Sequence, residues 1–302
     1  MLVKSLQYNN QTTFGTTRQK MAKGNKVYNW LHTDFARQDI DWNKLIEEVA
    51  NRYPEGAKIY CYGCSDGSES YTIALKLIQS MGIEKAKKFS IIAKDIDSAR
   101  IEKNNQGIIG LRKTIDIPMI NKFLKNTGIN IKDIIEEANI PTEKVFGAYN
   151  YEIKQYKVKG ILKDLVKFES ADVVQNTAKK FPKDSVVLFR NAVPYLTKAQ
   201  ESRLVQNLRS NLSVGSMFVI GGFDQSYSNI GEHLTKSNFI AVDSKNPIVK
   251  SGKKLKGTFP LGLPFNENPL LAGVFVKIDD YKYCLPISGE GALEKIIKKV
   301  HK

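Results

Sequence analysis

Between Ala57 and Gly107 the chain alternates short apolar runs with amphipathic ones, and no other feature restricts its fold as much. "AKIYCYG" reads as a short buried strand. "ESYTIALKLIQSMG" has the helical period and stops at Gly82. "KFSIIAKDID" reads as a second strand and "SARIEKNNQG" as the helix after it. Strands that each hand over to a helix argue for a parallel sheet covered by helices, because parallel neighbours need a crossover. "DSVVLFRN", "GSMFVIGGFD" and "NFIAVD" read as further strands, and "TKAQESRLVQNLRSNL" as an amphipathic helix.

The flanking segments follow other patterns. Residues 1–55 are polar and partly helical, with Trp42, Leu45, Ile46 and Val49 on one face of "DWNKLIEEVANRY". Pro54 and Gly56 punctuate the passage into the alternating region. Residues 111–160 interrupt the alternation. There "PMINKFLKNTG" and "NIKDIIEEANI" read as helical, and "YEIKQYKV" as a strand or turn. "LVKFESADV", just beyond, reads the same way. From about residue 246 the pattern breaks on Gly and Pro before the apolar "LLAGVFVKI" and a last helix. The organisation expected is an N-terminal segment 1–55 and a catalytic domain 56–302 that carries an insertion at 111–160 and an extended tail.

The chain of 302 residues carries 46 Lys and Arg against 31 Asp and Glu, a formal net charge of +15. A basic surface suits an acidic protein face, nucleic acid or an anionic membrane, although lysines this dispersed also describe an ordinary solvated surface. With Cys61, Cys64 and Cys284 the only cysteines, a disulfide framework is not expected and a reducing compartment is. No run reaches transmembrane length, and the first residues lack the apolar stretch of a signal peptide. A cytoplasmic protein without membrane insertion is expected. Cys61-x-x-Cys64 has no second pair to complete a zinc site, so both read as small buried residues and no metal is expected.

The first strand ends in "YGCSDGSESYTIA", Tyr62 to Ala74. A strand, a glycine turn and a helix N-terminus together form a nucleotide pocket, because glycines let the backbone approach a ligand. The spacing departs from G-x-G-x-x-G, and no Gly-Lys-Ser/Thr follows. Glu69 in the first helical turn would repel a pyrophosphate but suits a ligand with a cationic end. S-adenosylmethionine, with a sulfonium and an amino group and no phosphate, is such a ligand. "SIIAKD" ends on Asp95, where a carboxylate can accept both ribose hydroxyls. Each residue also has an ordinary role open to it: Asp95 as a helix cap, Glu69 as a dipole-favoured helix carboxylate.

These stretches resemble the CheR-type chemotaxis-receptor methyltransferases. "YGCSDGSESYTIA" is similar to that family's A-G-C-S-x-G-E-E-x-Y-S, and "AKDIDSARIEKNNQGII" to its T-D-I-D segment. "VVLFRNAVPYLTKAQESRLVQNLRSNLSVGSMFVIGG" resembles F-C-R-N-x-x-x-Y-F and the helix and glycines after it. "LVKFESADV" stands where the family has V-x-F-x-x-x-N-L, and "NNQTTF" resembles N-x-T-x-F-F-R without the arginine in register. The likeness runs from about residue 56 to 243. It implies a Rossmann-like class I methyltransferase, an α/β fold with a mostly parallel seven-stranded sheet, helices on both faces and a helical insertion. It also implies a site. Gly63 packs against S-adenosylmethionine, Glu69 holds its amino end and Asp95 its ribose. Asp172 and Val173 lie by the adenine, with Asp172 in place of the family's Asn. Asn191 and Arg190 close the pocket, Tyr195 points at the methyl, and Asn10 and Thr12 approach from the N-terminal segment. Tyr195 and Arg190 are the catalytic candidates, as a phenol donor and a cationic fork able to orient a carboxylate.

Methyl transfer to a carboxylate needs alignment more than a base, since the acceptor is already ionised at neutral pH. The three histidines of the chain fit that economy. The activity implied is glutamate O-methylation on an acidic helical protein such as a receptor's cytoplasmic helix. The alternatives are a same-fold methyltransferase on nucleic acid, since "NAVPY" echoes N-P-P-Y with one residue too many, and a binding module without catalysis.

Overall fold

A computed structural model describes residues 35–37, 39–145, 151–222, 224, 228–241 and 273–278. In chain order its strands are β1 (Lys58–Tyr62), β2 (Ser90–Asp95), β3 (Ile108–Leu111), β4 (Ile135–Glu137), β5 (Glu143–Val145) and β6 (Tyr151–Val158). They continue with β7 (Val166–Ser170), β8 (Ser185–Phe189), β9 (Met217–Val219), β10 (Phe239–Ala241) and β11 (Val274–Lys277). Seven of them form one sheet in the order β10-β11-β9-β8-β1-β2-β7. β1 pairs in parallel with both β2 and β8, placing Ile59 level with Ile91 and Val186. β7 and β9 extend the sheet in parallel on either side. β11 alone runs against its neighbours β9 and β10. The mostly parallel seven-stranded sheet expected from the resemblance is therefore present.

The period of two along each central strand builds two cores. Ile59, Cys61, Val186, Leu188, Met217 and Val219 face one cluster, which takes in Leu45, Ile46 and Val49 and the buried face of the Ser68–Met81 helix. Tyr60, Tyr62, Val187, Phe189, Phe218 and Ile220 face the other, packed against Leu204, Val205 and Leu208 of the Lys198–Asn211 helix. The Trp42–Arg52 helix forms as its apolar spacing foretells, burying Trp42, Leu45, Ile46 and Val49 behind an Asp41 cap.

Two segments depart from the sequence reading. "NIKDIIEEANI" makes one helical turn, Ile131–Ile134, begun by an Asn130 capping box, and then turns into a strand. Ile135 leaves the helix because β4 pairs with β6, Ile135 opposite Val158, and its β-branched side chain is buried there. With β3 and β5 also on β6, these four strands form a small antiparallel sheet separate from the main one. The second departure is the tail, where "GVFVK" supplies the reversed strand β11, buried throughout, between β9 and β10.

Candidate active site

In an open parallel sheet, ligands bind beyond the carboxyl ends of the strands where the strand order reverses. Here that point lies between β1 and β8. Gly63 follows β1, Asp95 ends β2, Asp172 follows β7, Arg190 and Asn191 follow β8, and Gly221, Gly222 and Asp224 follow β9. Residues from distant parts of the sequence, Gly63 to Asp224, thus meet along one edge of the sheet.

The glycine turn is held in shape by Asp95. One of its oxygens accepts the Ser65 N–H at 2.8 Å and the other the Asp97 N–H at 3.0 Å. Gly63, Ser65 and Gly67 all have left-handed backbones, with φ of 67°, 51° and 83°. A Cβ on Gly67 would stand 2.8 Å from the Phe168 ring, so this corner needs glycine twice over. Ser65 is the exception that pays strain, and it is pinned by Arg100 on its hydroxyl and Asn104 on its carbonyl. Capping of the next helix falls to Asp97, which accepts the N–H groups of Ala99 and Arg100. Asp95 is therefore not spent as a cap, and each carboxylate oxygen keeps a second lone pair.

Across the edge lies a buried charge cluster. The Arg190 side chain is wholly buried, with its guanidinium 5.1 Å from the centre of the Trp42 ring. One Nη donates to Asp39 at 2.6 Å and the other to Glu69. Asp39 accepts further bonds from the Asn191 side chain at 3.1 Å and the Gly222 N–H at 3.3 Å. Burial alone would raise the Asp39 carboxyl, but Arg190, Arg37 and these hydrogen bonds together hold it below the usual Asp value. Burial works against the Arg190 charge too, and the carboxylates of Asp39, Glu69 and Asp224 more than offset it, leaving that charge fixed. Behind the cluster, Cys61 and Cys64 are buried free thiols whose surroundings push ionisation up, which makes them inert packing. Among the described residues no group of three His, Cys, Asp or Glu side chains is placed to hold a metal.

The site residues expected from the sequence fall out unevenly. Gly63, Glu69, Asp95, Arg190 and Asn191 gather at the edge. Asp172 caps the Val173–Asn176 turn, with one oxygen accepting from Val174 and Gln175. It stays beside Asp95, whose carbonyl takes the Ala171 N–H at 2.9 Å. Val173 is half-buried against the second core. Tyr195 ends a short 3-10 turn, Val193–Tyr195, and is half-buried. Asn10 and Thr12 lie outside the described residues. Two carboxylates had no counterpart in the sequence reading. Asp39 completes the Arg190 pair, and Asp224 gathers the backbone after β8 and β9. A buried Arg calls for acidic partners, but nothing local in "ARQDIDW" marks Asp39 as one.

Residues 31–138 and 138–238 match the family described as CheR methyltransferase, SAM binding domain. The chain belongs to this CheR methyltransferase family. The chemotaxis protein methyltransferase of Borreliella burgdorferi is 27% identical over 194 residues, 63% of this chain and 59% of that protein. A second from Vibrio cholerae is 33% identical over 98 residues, 30% of this chain and 34% of its own. A third, from Salmonella typhimurium, is 28% identical over 131 residues, 42% of this chain and 45% of that protein. The chain thus spans less than two thirds of the length of these relatives. The cofactor of a CheR domain is S-adenosylmethionine, and the donor set suits it. Carboxylates at Glu69, Asp39 and Asp95 favour a ligand with a cationic end and a ribose, where a pyrophosphate would be repelled. Among the described residues, no oxygen accepts from the buried Arg190 Nε, so that guanidinium is held through its two Nη groups.

Proposed function

We propose that this protein is an S-adenosylmethionine-dependent methyltransferase acting on protein carboxylates, with a glutamate side chain of an acidic helical partner as acceptor. The observation that carries the reading is the pair Glu69 and Asp95 flanking the glycine turn at the switch point of a CheR-family sheet. In this reading Glu69 meets the amino end of the cofactor, Asp95 the ribose, Gly63 its backbone-facing side, and Asp172 and Val173 the adenine. Asn191 walls the pocket. Asn10 and Thr12 approach the cofactor from the N-terminal segment. When bound, that group would supply an electrophilic methyl on its sulfonium sulfur, which leaves as a neutral thioether when the methyl passes to the acceptor oxygen. The chain's own residues bind it, exclude water and set the acceptor oxygen in line, and such positioning alone is worth roughly 7–11 kcal/mol. Tyr195 orients the acceptor, with Arg190 behind it. The net charge of +15 supports an acidic partner. No described helix is long and apolar enough to cross a membrane, and a cytoplasmic enzyme acting on the cytoplasmic helix of a receptor is the setting we propose. The division into 1–55, a catalytic domain 56–302 and an insertion at 111–160 belongs to the same proposal.

Calorimetry with S-adenosylhomocysteine, NAD and ATP tests the cofactor half. Binding of the first alone is expected, and tight NAD binding would overturn the pocket. Transfer of labelled methyl to acidic helical protein, released by mild base, tests the acceptor half. Base-stable label on nucleic acid would replace that half, and no binding of S-adenosylmethionine or its product would reduce the protein to a module without this chemistry.

A further inference from the structure

We propose that Asp224 is a positioning residue for the cofactor edge: its carboxylate locks the turn after β8, and so fixes where Asn191 and Tyr195 stand. The inference rests on the methyltransferase reading above and adds a residue that reading does not use.

Asp224 is fully buried, and its side chain ties together the ends of two neighbouring parallel strands. One oxygen accepts the N–H of Asn191 at 2.6 Å and that of Gly221 at 2.8 Å, and the other accepts the N–H of Val193 at 2.9 Å. Three converging backbone donors make an anion nest that a side chain fills from within. Asn191 needs such a hold. Its φ of 56° is left-handed, a region that Asn enters more readily than other non-glycine residues but does not hold without a fixed partner for its N–H. Close approach of the second strand supplies the rest. A Cβ on Gly221 would stand 2.2 Å from the Asn191 side-chain oxygen. Val193 opens the 3-10 turn that ends at Tyr195, so its N–H fixes the origin of that turn. On the other side, the Asp224 carbonyl accepts from the Ser228 N–H and hydroxyl, which orients Asp224 itself.

Burial pushes the Asp224 carboxyl up to about 7, against the pull of the Gly221, Val193 and Asn191 N–H groups and of Arg190. Among the described residues, Arg190 is the charged group whose field acts on it, and that guanidinium is itself paired with Asp39 and Glu69. The nest and the fold therefore respond to pH in opposite senses. Because the folded value is raised above the unfolded one, the folded chain holds the extra proton between about pH 4 and 7, and this group's contribution to stability falls as pH rises there. Acceptance of three N–H donors, by contrast, is complete only for the ionised form.

The test uses the full chain, S-adenosylhomocysteine as the probe, and calorimetry from pH 5.5 to 8.5 on the parent and on Asp224→Asn. The asparagine keeps the size but turns an NH2 group toward backbone donors. Parent affinity is expected to rise severalfold with pH. In Asp224→Asn it should be at least tenfold weaker at pH 8.5 and nearly flat with pH. Exchange of the Asn191, Val193 and Gly221 amides in the ligand-free parent, followed over the same range, decides the matter if the variant does not fold. Their protection should increase with pH while the melting temperature does not. Parent affinity and amide protection that are both indifferent to pH would overturn the proposal, as would a folded Asp224→Asn that binds like the parent. A parent that binds no S-adenosylhomocysteine at any pH would instead overturn the functional reading, and the positioning role with it.

Discussion

Replacing Asp39 with Ala should cost more than any other change at the cluster that leaves Arg190 in place. Asp39 is the acceptor for a wholly buried guanidinium, an amide side chain and a backbone N–H. Removing one partner of a buried ion pair costs about 3–5 kcal/mol when the remaining charge is left alone. Arg190 keeps Glu69, and Asp39 is 23% exposed, so water can reach part of the vacated space. Both reduce the figure, to about 2–4 kcal/mol. At about 2–4 °C per kcal/mol for a domain of this size, the melting temperature should fall by roughly 5–15 °C. Denaturant melts should report the same loss in the midpoint with an unchanged slope. The pH dependence follows from the lowered carboxyl of Asp39. The unfolded chain takes up that proton first as pH falls, so the difference between parent and variant should be constant above about pH 5 and shrink below the ordinary value of 3.8. In an Arg190→Met background, Asp39→Ala should cost little, because the charge it answers is gone. A melting temperature within a degree or two of the parent, or an equal loss in both backgrounds, would refute the account of Arg190 as a charge held by its carboxylates.

Three other outcomes are expected. Asp95→Ala should weaken S-adenosylhomocysteine at least tenfold by calorimetry, since charge-assisted hydrogen bonds are worth about 1.5–3 kcal/mol each. Unchanged affinity in a folded variant would remove Asp95 from the site. Tyr195→Phe should keep cofactor affinity and lower turnover by one to three decades, roughly 1.4–4 kcal/mol of transition-state stabilisation, once an acceptor is in hand. A fall in melting temperature with no loss of rate would make it a packing residue instead. Asp66, pushed up to about 6 by burial within the glycine turn, should lower stability as pH rises from about 4 to 6, and Asp66→Asn should flatten that part of the melting-temperature profile.

The parts of the fold that local pattern dictates were legible in the sequence. β1, β2 and β8 carry the apolar runs "IYCY", "IIA" and "VVLF", which lead to Gly63, Asp95 and Arg190, and the residues at those ends are where a parallel sheet presents a ligand. What escaped was decided by distant pairing. β11 is four residues whose neighbours, β9 and β10, come more than thirty residues earlier, and no periodicity announces that it will be inserted between them in reverse. Ile134 and Ile135 sit in a stretch with helical spacing, yet β6 recruits the second of them into a strand. Asp39 and Asp224 are acidic residues like many others until the chain brings Arg190 and the turn after β8 onto them.

The geometry also separates the two groups offered for orienting the acceptor. Arg190 has both Nη groups engaged, by Asp39 and Glu69, on a side chain with no exposed surface. A substrate carboxylate could reach that fork only by displacing one of them, leaving a buried anion without its partner. At an effective dielectric of about 20, unit charges 4 Å apart interact by about 4 kcal/mol, so this exchange is expensive. Tyr195 is half-buried at the end of its turn, so part of its side chain meets solvent. In the function proposed above, the cation therefore holds Glu69 and Asp39 in position for the cofactor, and the phenol is left as the group to meet the acceptor. Arg190→Lys should then lower stability and cofactor affinity together, because a point charge cannot serve two carboxylates as a planar fork does. Tyr195→Phe should spare both. If Arg190→Lys instead lowered turnover alone, the guanidinium would have to be the group that touches the substrate.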